Sequence, residues 1–171
     1  MAIKRFMVMA LFLALSLPGC LTTKGAPTSQ DSDAELVRLL HIRAEQGNPR
    51  DQFLLGHVYF DGRDGIPQDH ARAVYWYRKA AVQGDADAQN RLGRAYALGD
   101  GVPQDSFEAA RWWRRAAEQG HGEAQGALGR AHIYGHGVIR DRETGCRLLR
   151  SSAEQGSSRE AIEAYNKHCA R

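Results

Sequence analysis

The sequence predicts an all-α protein, an α/α solenoid of helix–turn–helix units with about eight antiparallel helices. Three observations predict it. The first is an internal copy. Residues 84–120, GDADAQNRLGRAYALGDGVPQDSFEAARWWRRAAEQG, recur at a step of 36, the spacing from Gly84 to Gly120. One step forward, Ala88, Gln89, Leu92, Gly93, Gly101 and Asp105 fall on Ala124, Gln125, Leu128, Gly129, Gly137 and Asp141. One step back, Gly101, Pro103, Asp105, Trp112, Ala116 and Ala117 fall on Gly65, Pro67, Asp69, Trp76, Ala80 and Ala81. Upstream of Arg63 the step becomes 37, one extra loop residue in the first copy. Repeats of this length stack, each burying its apolar face against its neighbours.

The second observation is the period inside a copy. Ala88, Leu92 and Tyr96 recur every four residues, one apolar stripe along a first helix. The third is the punctuation. Gly99, Asp100, Gly101 and Pro103 break that helix, and Asp105 stands where a second helix needs an N-cap, with Glu108 at the capping-box position. Ala109, Trp112, Ala116 and Ala117 make the second helix's apolar face, and Gly120 closes it. Gly93 and the Ala116–Ala117 pair let two helices approach closely, with Trp112 filling the space beside them. Trp113, in register with Tyr77 and Leu149, reads as a core position between adjacent units, and Tyr75 as surface.

In chain order, Ser32-Asp33-Ala34-Glu35 is a capping-box signature that opens a helix over 33–46. This helix caps the stack, with Leu36, Leu39 and Leu40 as its buried face. First helices are predicted at 49–60, 85–98, 121–134 and 158–169, and second helices at 70–83, 106–119 and 142–155. The organisation is therefore a signal peptide (1–19), a tether (20–31), an N-terminal capping helix (32–46), three repeats (47–156) and a C-terminal capping helix (157–171).

The pattern of LG, Y, G-x-G-V, D, A, W, AA and G resembles the Sel-one-like repeat, a relative of the tetratricopeptide repeat. LG stands at Leu55-Gly56, Leu92-Gly93 and Leu128-Gly129. The last copy departs, with His132 in place of Tyr96 and Leu148 in place of Trp112, as suits a unit near the end of a stack. The resemblance implies a helical scaffold for protein–protein contact, not an enzyme, with the first helices lining a concave side.

The 43% apolar and 25% charged residues are ordinary for a globular domain. The N-terminus differs. Lys4 and Arg5 precede an apolar run at 6–17 broken only by Ser16. The run is short for a spanning helix but fits a secretory signal core. Leu17-Pro18-Gly19-Cys20 looks like a bacterial lipobox, so Cys20 is expected to become the first mature residue and carry lipid; the alternatives are simple secretion and an uncleaved anchor. Leu21 is not the Asp that retains enteric-type lipoproteins at the inner membrane. The expected location is the bacterial cell envelope, at the outer membrane facing the periplasm. Residues 21–31, LTTKGAPTSQD, read as a flexible tether. Without residues 1–19 the chain has 21 Lys+Arg against 20 Asp+Glu, which gives no support for nucleic-acid binding.

Cys146 and Cys169 lie at matching distances from the turn near Gly156–Ser158, side by side in an antiparallel hairpin. In an oxidising compartment this predicts a Cys146–Cys169 disulfide, against the alternative of two buried thiols. No cofactor and no metal is expected. Some cysteine-rich relatives are described as acting on β-lactams, but no serine here has Lys three residues later. His132 and His136 are four apart, yet Gly135 and Gly137 put His136 in a turn, and His168 stands alone.

The remaining candidate is a surface. His57, Arg94 and Arg130 form one register column on the first helices, and Phe53, Asn90 and Gly126 form another. The candidate partner-binding set is Phe53, His57, Asn90, Arg94 and Arg130. Its arginines offer planar forks for carboxylates, so the expected partner is a protein with an acidic segment, or an anionic glycan. The alternative is a solvated face whose charges pair with Asp87 and Glu123. The predicted role is a periplasmic, membrane-anchored adaptor, with an accessory for envelope polysaccharide or peptidoglycan as the second reading.

Overall fold

A computed structural model describes residues 29–63 and 65–170, with side chains from residue 35 onward. The signal peptide and Cys20 lie outside the described residues. Eight helices follow one another: α1 (Ser29–Glu45), α2 (Pro49–Asp61), α3 (His70–Val82), α4 (Ala86–Leu98), α5 (Ser106–Glu118), α6 (Gly122–Tyr134), α7 (Arg142–Glu154) and α8 (Arg159–His168). No strand occurs among the described residues. Each helix packs on the next in sequence, and α6 also meets α8, the pattern of a stacked array.

Three physical devices repeat from unit to unit. The first closes each hairpin. Gly56, Gly93 and Gly129 lie under Tyr77, Trp113 and Leu149; an added Cβ would sit 2.6, 2.6 and 2.9 Å from those side chains. Gly93 therefore receives Trp113 rather than Trp112, and Trp113 also packs on the cluster that joins Ala116 and Ala117 to Ala124 and Leu128 of the next unit. Trp76 and Trp112 are buried core residues, and Tyr75 is exposed.

The second device is a ladder of glutamines. Gln52, Gln89 and Gln125 each donate from Nε2 to the Ala44, Ala81 and Ala117 carbonyls at the end of the preceding helix, at 3.0, 3.0 and 3.3 Å. Their Oε1 atoms accept from Nε2 of Gln83, Gln119 and Gln155, each at 2.8 Å. Each amide thus ties three successive helices and adds a second hydrogen bond to a helix-end carbonyl that already accepts from the Gly47, Gly84 or Gly120 N–H.

The third device is the cap. Asp69, Asp105 and Asp141 cap α3, α5 and α7. The reciprocal half of the predicted capping box is absent at Asp105. Its N–H already donates to the Tyr96 carbonyl at 2.8 Å, and Glu108 pairs with Arg111 instead.

Two expectations for α1 fail. The helix begins at Ser29, so Ser32-Asp33-Ala34-Glu35 lies inside it rather than at its start. Its buried face is Val37 and Ala44, with Leu40 half-buried and His41 bonded to the Tyr59 hydroxyl at 3.2 Å. Leu36 and Leu39 are 65% and 49% exposed. Among the described residues α1 packs mainly on α2, so a helix with two apolar faces has only one of them covered there.

At the other end Cys146 and Cys169 are disulfide-bonded, with Cα atoms 5.5 Å apart, joining α7 to the residue after α8. Among the described residues no helix is long and apolar enough to cross a membrane.

Candidate functional site

The first helices α4, α6 and α8 curl toward one another and enclose a cup of about 510 Å³. Its basic side is Arg94 and Arg130, one repeat apart on α4 and α6. Ala97, Leu98, Ala127 and Trp113 supply an apolar floor. The first turn of α8 supplies Ser158, Arg159 and Glu160. Each first helix places the same positions inward because the repeat fixes its rotation.

The charges around the cup are divided unequally. Asp87 pairs with Arg50 at 2.9 Å and with the His121 ring at 3.2 Å. Glu123 accepts from Asn90 Nδ2 at 2.9 Å. These are the acids the sequence offered as partners for Arg94 and Arg130, and the structure commits them elsewhere. Among the described residues neither arginine forms an ion pair. Arg130 is half-buried and its Nη1, shielded from solvent, has no hydrogen-bond partner. Glu160 is the nearby exception, an acid inside the cup. It accepts from the Ser158 hydroxyl at 2.6 Å, and that bond holds its carboxyl below the ordinary range, with Arg130 and Arg94 adding positive field.

The predicted site residues separate into two groups. Asn90, Arg94 and Arg130 meet around the cup. Phe53 is buried and lines a shallower depression shared with Asn90, while Arg50 lies over its ring. His57 packs edge-on against Phe53 and near Tyr77, with ring centroids 4.7 and 5.6 Å away. Burial, and then the positive charge of Arg91, keep the His57 imidazole below its ordinary pKa. The Phe53–His57–Tyr77 cluster is packing between α2 and α3 rather than an open surface. Sequence reasoning missed Trp113 as floor and Glu160 as an internal acid. The register held a trace of the latter, because Asp87, Glu123 and Glu160 form one column at steps of 36 and 37.

The histidines set aside as metal candidates have other partners. His132 bonds the Ile139 carbonyl, His136 stacks on Tyr134, and His168 bonds the Tyr134 hydroxyl. Among the described residues no group of three metal-ligating side chains converges.

A stack of near-identical helical hairpins with a lined concave side defines a repeat scaffold. The Sel1 repeat signature matches residues 49–85, 86–121 and 122–157, and the chain belongs to the Sel1 repeat family. Proteins of this family generally mediate protein–protein interaction and are typically non-catalytic. Among solved structures, the chain resembles a protective antigen of uropathogenic Escherichia coli with an SLR fold, at 38% identity and a TM-score of 0.71. That match covers 74% of this chain and 27% of the antigen. A Sel1 repeat protein from Oxalobacter formigenes is 33% identical with a TM-score of 0.69, over 78% of this chain and 98% of that one. The ERAD-associated E3 ubiquitin-protein ligase component HRD3A of Arabidopsis thaliana is 31% identical over 71 residues, 42% of this chain and 10% of HRD3A. The chain thus spans only a small part of the antigen and of HRD3A.

Proposed function

We propose that this protein is an adaptor of the bacterial envelope, anchored by lipid on Cys20, whose concave cup grips an acidic segment of a partner protein. One observation carries the reading. Arg94 and Arg130 face a cup of about 510 Å³ without ion pairs, while Asp87 is paired with Arg50 and His121, Glu123 is bonded by Asn90, and Glu160 inside the cup is bonded by the Ser158 hydroxyl. A guanidinium with an unsatisfied, shielded nitrogen gains most from an incoming carboxylate, since a charge-assisted hydrogen bond then replaces an unmet one. The apolar floor of Ala97, Ala127 and Trp113 suits the aliphatic part of a polypeptide beside that carboxylate. The Trp113 indole lies against Gly93 and also lines the cup. The two guanidinium groups favour a carboxylate-bearing peptide over a neutral envelope glycan.

The test places a photoreactive residue at Leu98, which lines the cup and is 64% exposed, in cells producing the full chain. Mass spectrometry of the crosslinked material is expected to find a protein joined through an acidic stretch. Arg94→Glu with Arg130→Glu is expected to abolish that product. A glycan adduct, or a protein product unchanged by the double reversal, overturns the proposal.

A further inference from the structure

The outer face of α1 is an apolar stripe that the described stack leaves uncovered. Leu36, Leu39 and Ile42 are 65%, 49% and 44% exposed. Spaced three apart, they make one stripe along the helix, opposite the Val37 and Ala44 that enter the core. A helix apolar on two faces calls for a second apolar environment. The structure gives that stripe no cover among the described residues. Its position along the chain indicates what covers it. Ser29, the first residue of α1, is nine residues after Cys20. Even fully extended, nine residues reach about 30 Å. A lipid on Cys20 therefore confines α1, and no other helix so tightly, to the vicinity of the bilayer.

We infer that α1 is a second membrane contact, lying along the bilayer surface with Leu36, Leu39 and Ile42 in the headgroup–acyl boundary. The inference rests on the lipid-anchor reading. The contact is hydrophobic rather than electrostatic. Arg38, the cation beside the stripe, is paired with Glu35 at 3.8 Å, and Arg43 is paired with Asp51 at 2.9 Å. Salt should therefore leave it intact, unlike docking through a basic patch. The geometry fixes an orientation: with α1 on the membrane, the axis of stacking leads α2 to α8 away from it. The cup, at the α4–α6–α8 end, then lies in the part of the stack remote from the bilayer.

The experiment uses the full chain, extracted from bacterial membranes and reconstituted into vesicles of phosphatidylethanolamine and phosphatidylglycerol. Mass spectrometry first reads whether Cys20 is acylated. A nitroxide is then attached through Leu39→Cys, or as a control through Lys167→Cys on α8; the native Cys146 and Cys169 are bonded to each other and do not compete. The expected result for the acylated protein is that the label at 39 collides several-fold more with dissolved oxygen, and several-fold less with an aqueous nickel chelate, than the label at 167. Raising the salt leaves both unchanged. With Cys20 acylated, a label at 39 as open to nickel as the one at 167 overturns the α1 contact and leaves the anchor standing. Dipolar broadening between labels at 39 also overturns it, in favour of a second copy covering the stripe. An unacylated Cys20 overturns the anchor, and the α1 contact falls with it.

Discussion

Gly101 shows how one residue sets the spacing of units. It has φ of +72°, and an added Cβ would run into the His70 carbonyl at the start of α3 in the preceding unit. Gly137 meets Ser106 in the same way. Gly65, the first copy of this position, has φ of +78° and open space around it. The second glycine of the G-x-G turn is therefore a contact between units as well as a turn. Gly101→Ala is expected to cost about 3 kcal/mol, from left-handed strain and overpacking together, and Gly65→Ala about 1 kcal/mol from strain alone. Urea unfolding of the two variants measures the difference. His57 gives a pH effect. The fold keeps its imidazole below the ordinary value of 6.5, so folding favours the neutral form. Its contribution to stability is complete above that value and is lost as pH falls below it, where the unfolded chain takes up the proton first. His57→Gln is expected to flatten the acid side of the stability–pH profile, read from urea midpoints at stepped pH.

The helices themselves were readable because the period-four stripe and the Gly/Pro breaks report only local physics. Predicted bounds for α2 to α8 agree with the observed ones to within a residue at each end. The faces were less readable where a neighbour decides them. Leu36 and Leu39 look like core in a sequence and are exposed, because among the described residues α1 packs mainly on α2. Glu108 looks like half of a capping box, but the Tyr96 carbonyl has already taken the N–H it would have accepted. Arg94 and Arg130 were legible as a column, whereas their isolation depended on which groups held Asp87 and Glu123. At the level of single elements, α8 depends most on a covalent tie. The bond between Cys146 and Cys169 spans 23 residues, and closing such a loop contributes about 3 kcal/mol in the chain-entropy model. Reduction is expected to raise amide exchange throughout α8 while leaving α3 to α5 unchanged, as hydrogen–deuterium exchange would show. Uniform loss of protection would mean that α8 supports the whole stack.

Across the whole molecule the core is uneven. The N-terminal cluster joins Leu55, Leu92, Tyr59, Tyr77, Trp76 and Trp112. The middle cluster holds Leu128 among alanines, and the last holds Ile133, Leu149 and two alanines. Stability in a stacked array is roughly a sum of unit and junction contributions, so it need not be shared equally. Unfolding is expected to begin at the C-terminal end, where the last cluster has only the partly buried Tyr165 as an aromatic filler and the cup wall is built. Leu149→Ala, at a fully buried position, is expected to cost about 3 kcal/mol and to loosen α6 to α8 before α2 to α4, as exchange in mild urea would resolve. The cup was invisible to sequence reasoning at this scale, because α4 and α8 are brought to one cavity only by the accumulated curl of the array.

The glutamine ladder has a consequence for how such a chain can change its size. Ala44, Ala81 and Ala117 present the same carbonyl to the same amide, so the two sides of these three junctions are interchangeable parts. A duplicate of residues 86–121 spliced in behind the original would find a ready-made seat at both of its edges. Length in this molecule is accordingly a matter of copy number, and the reach of its inner surface can grow or shrink in whole increments without a new core being invented.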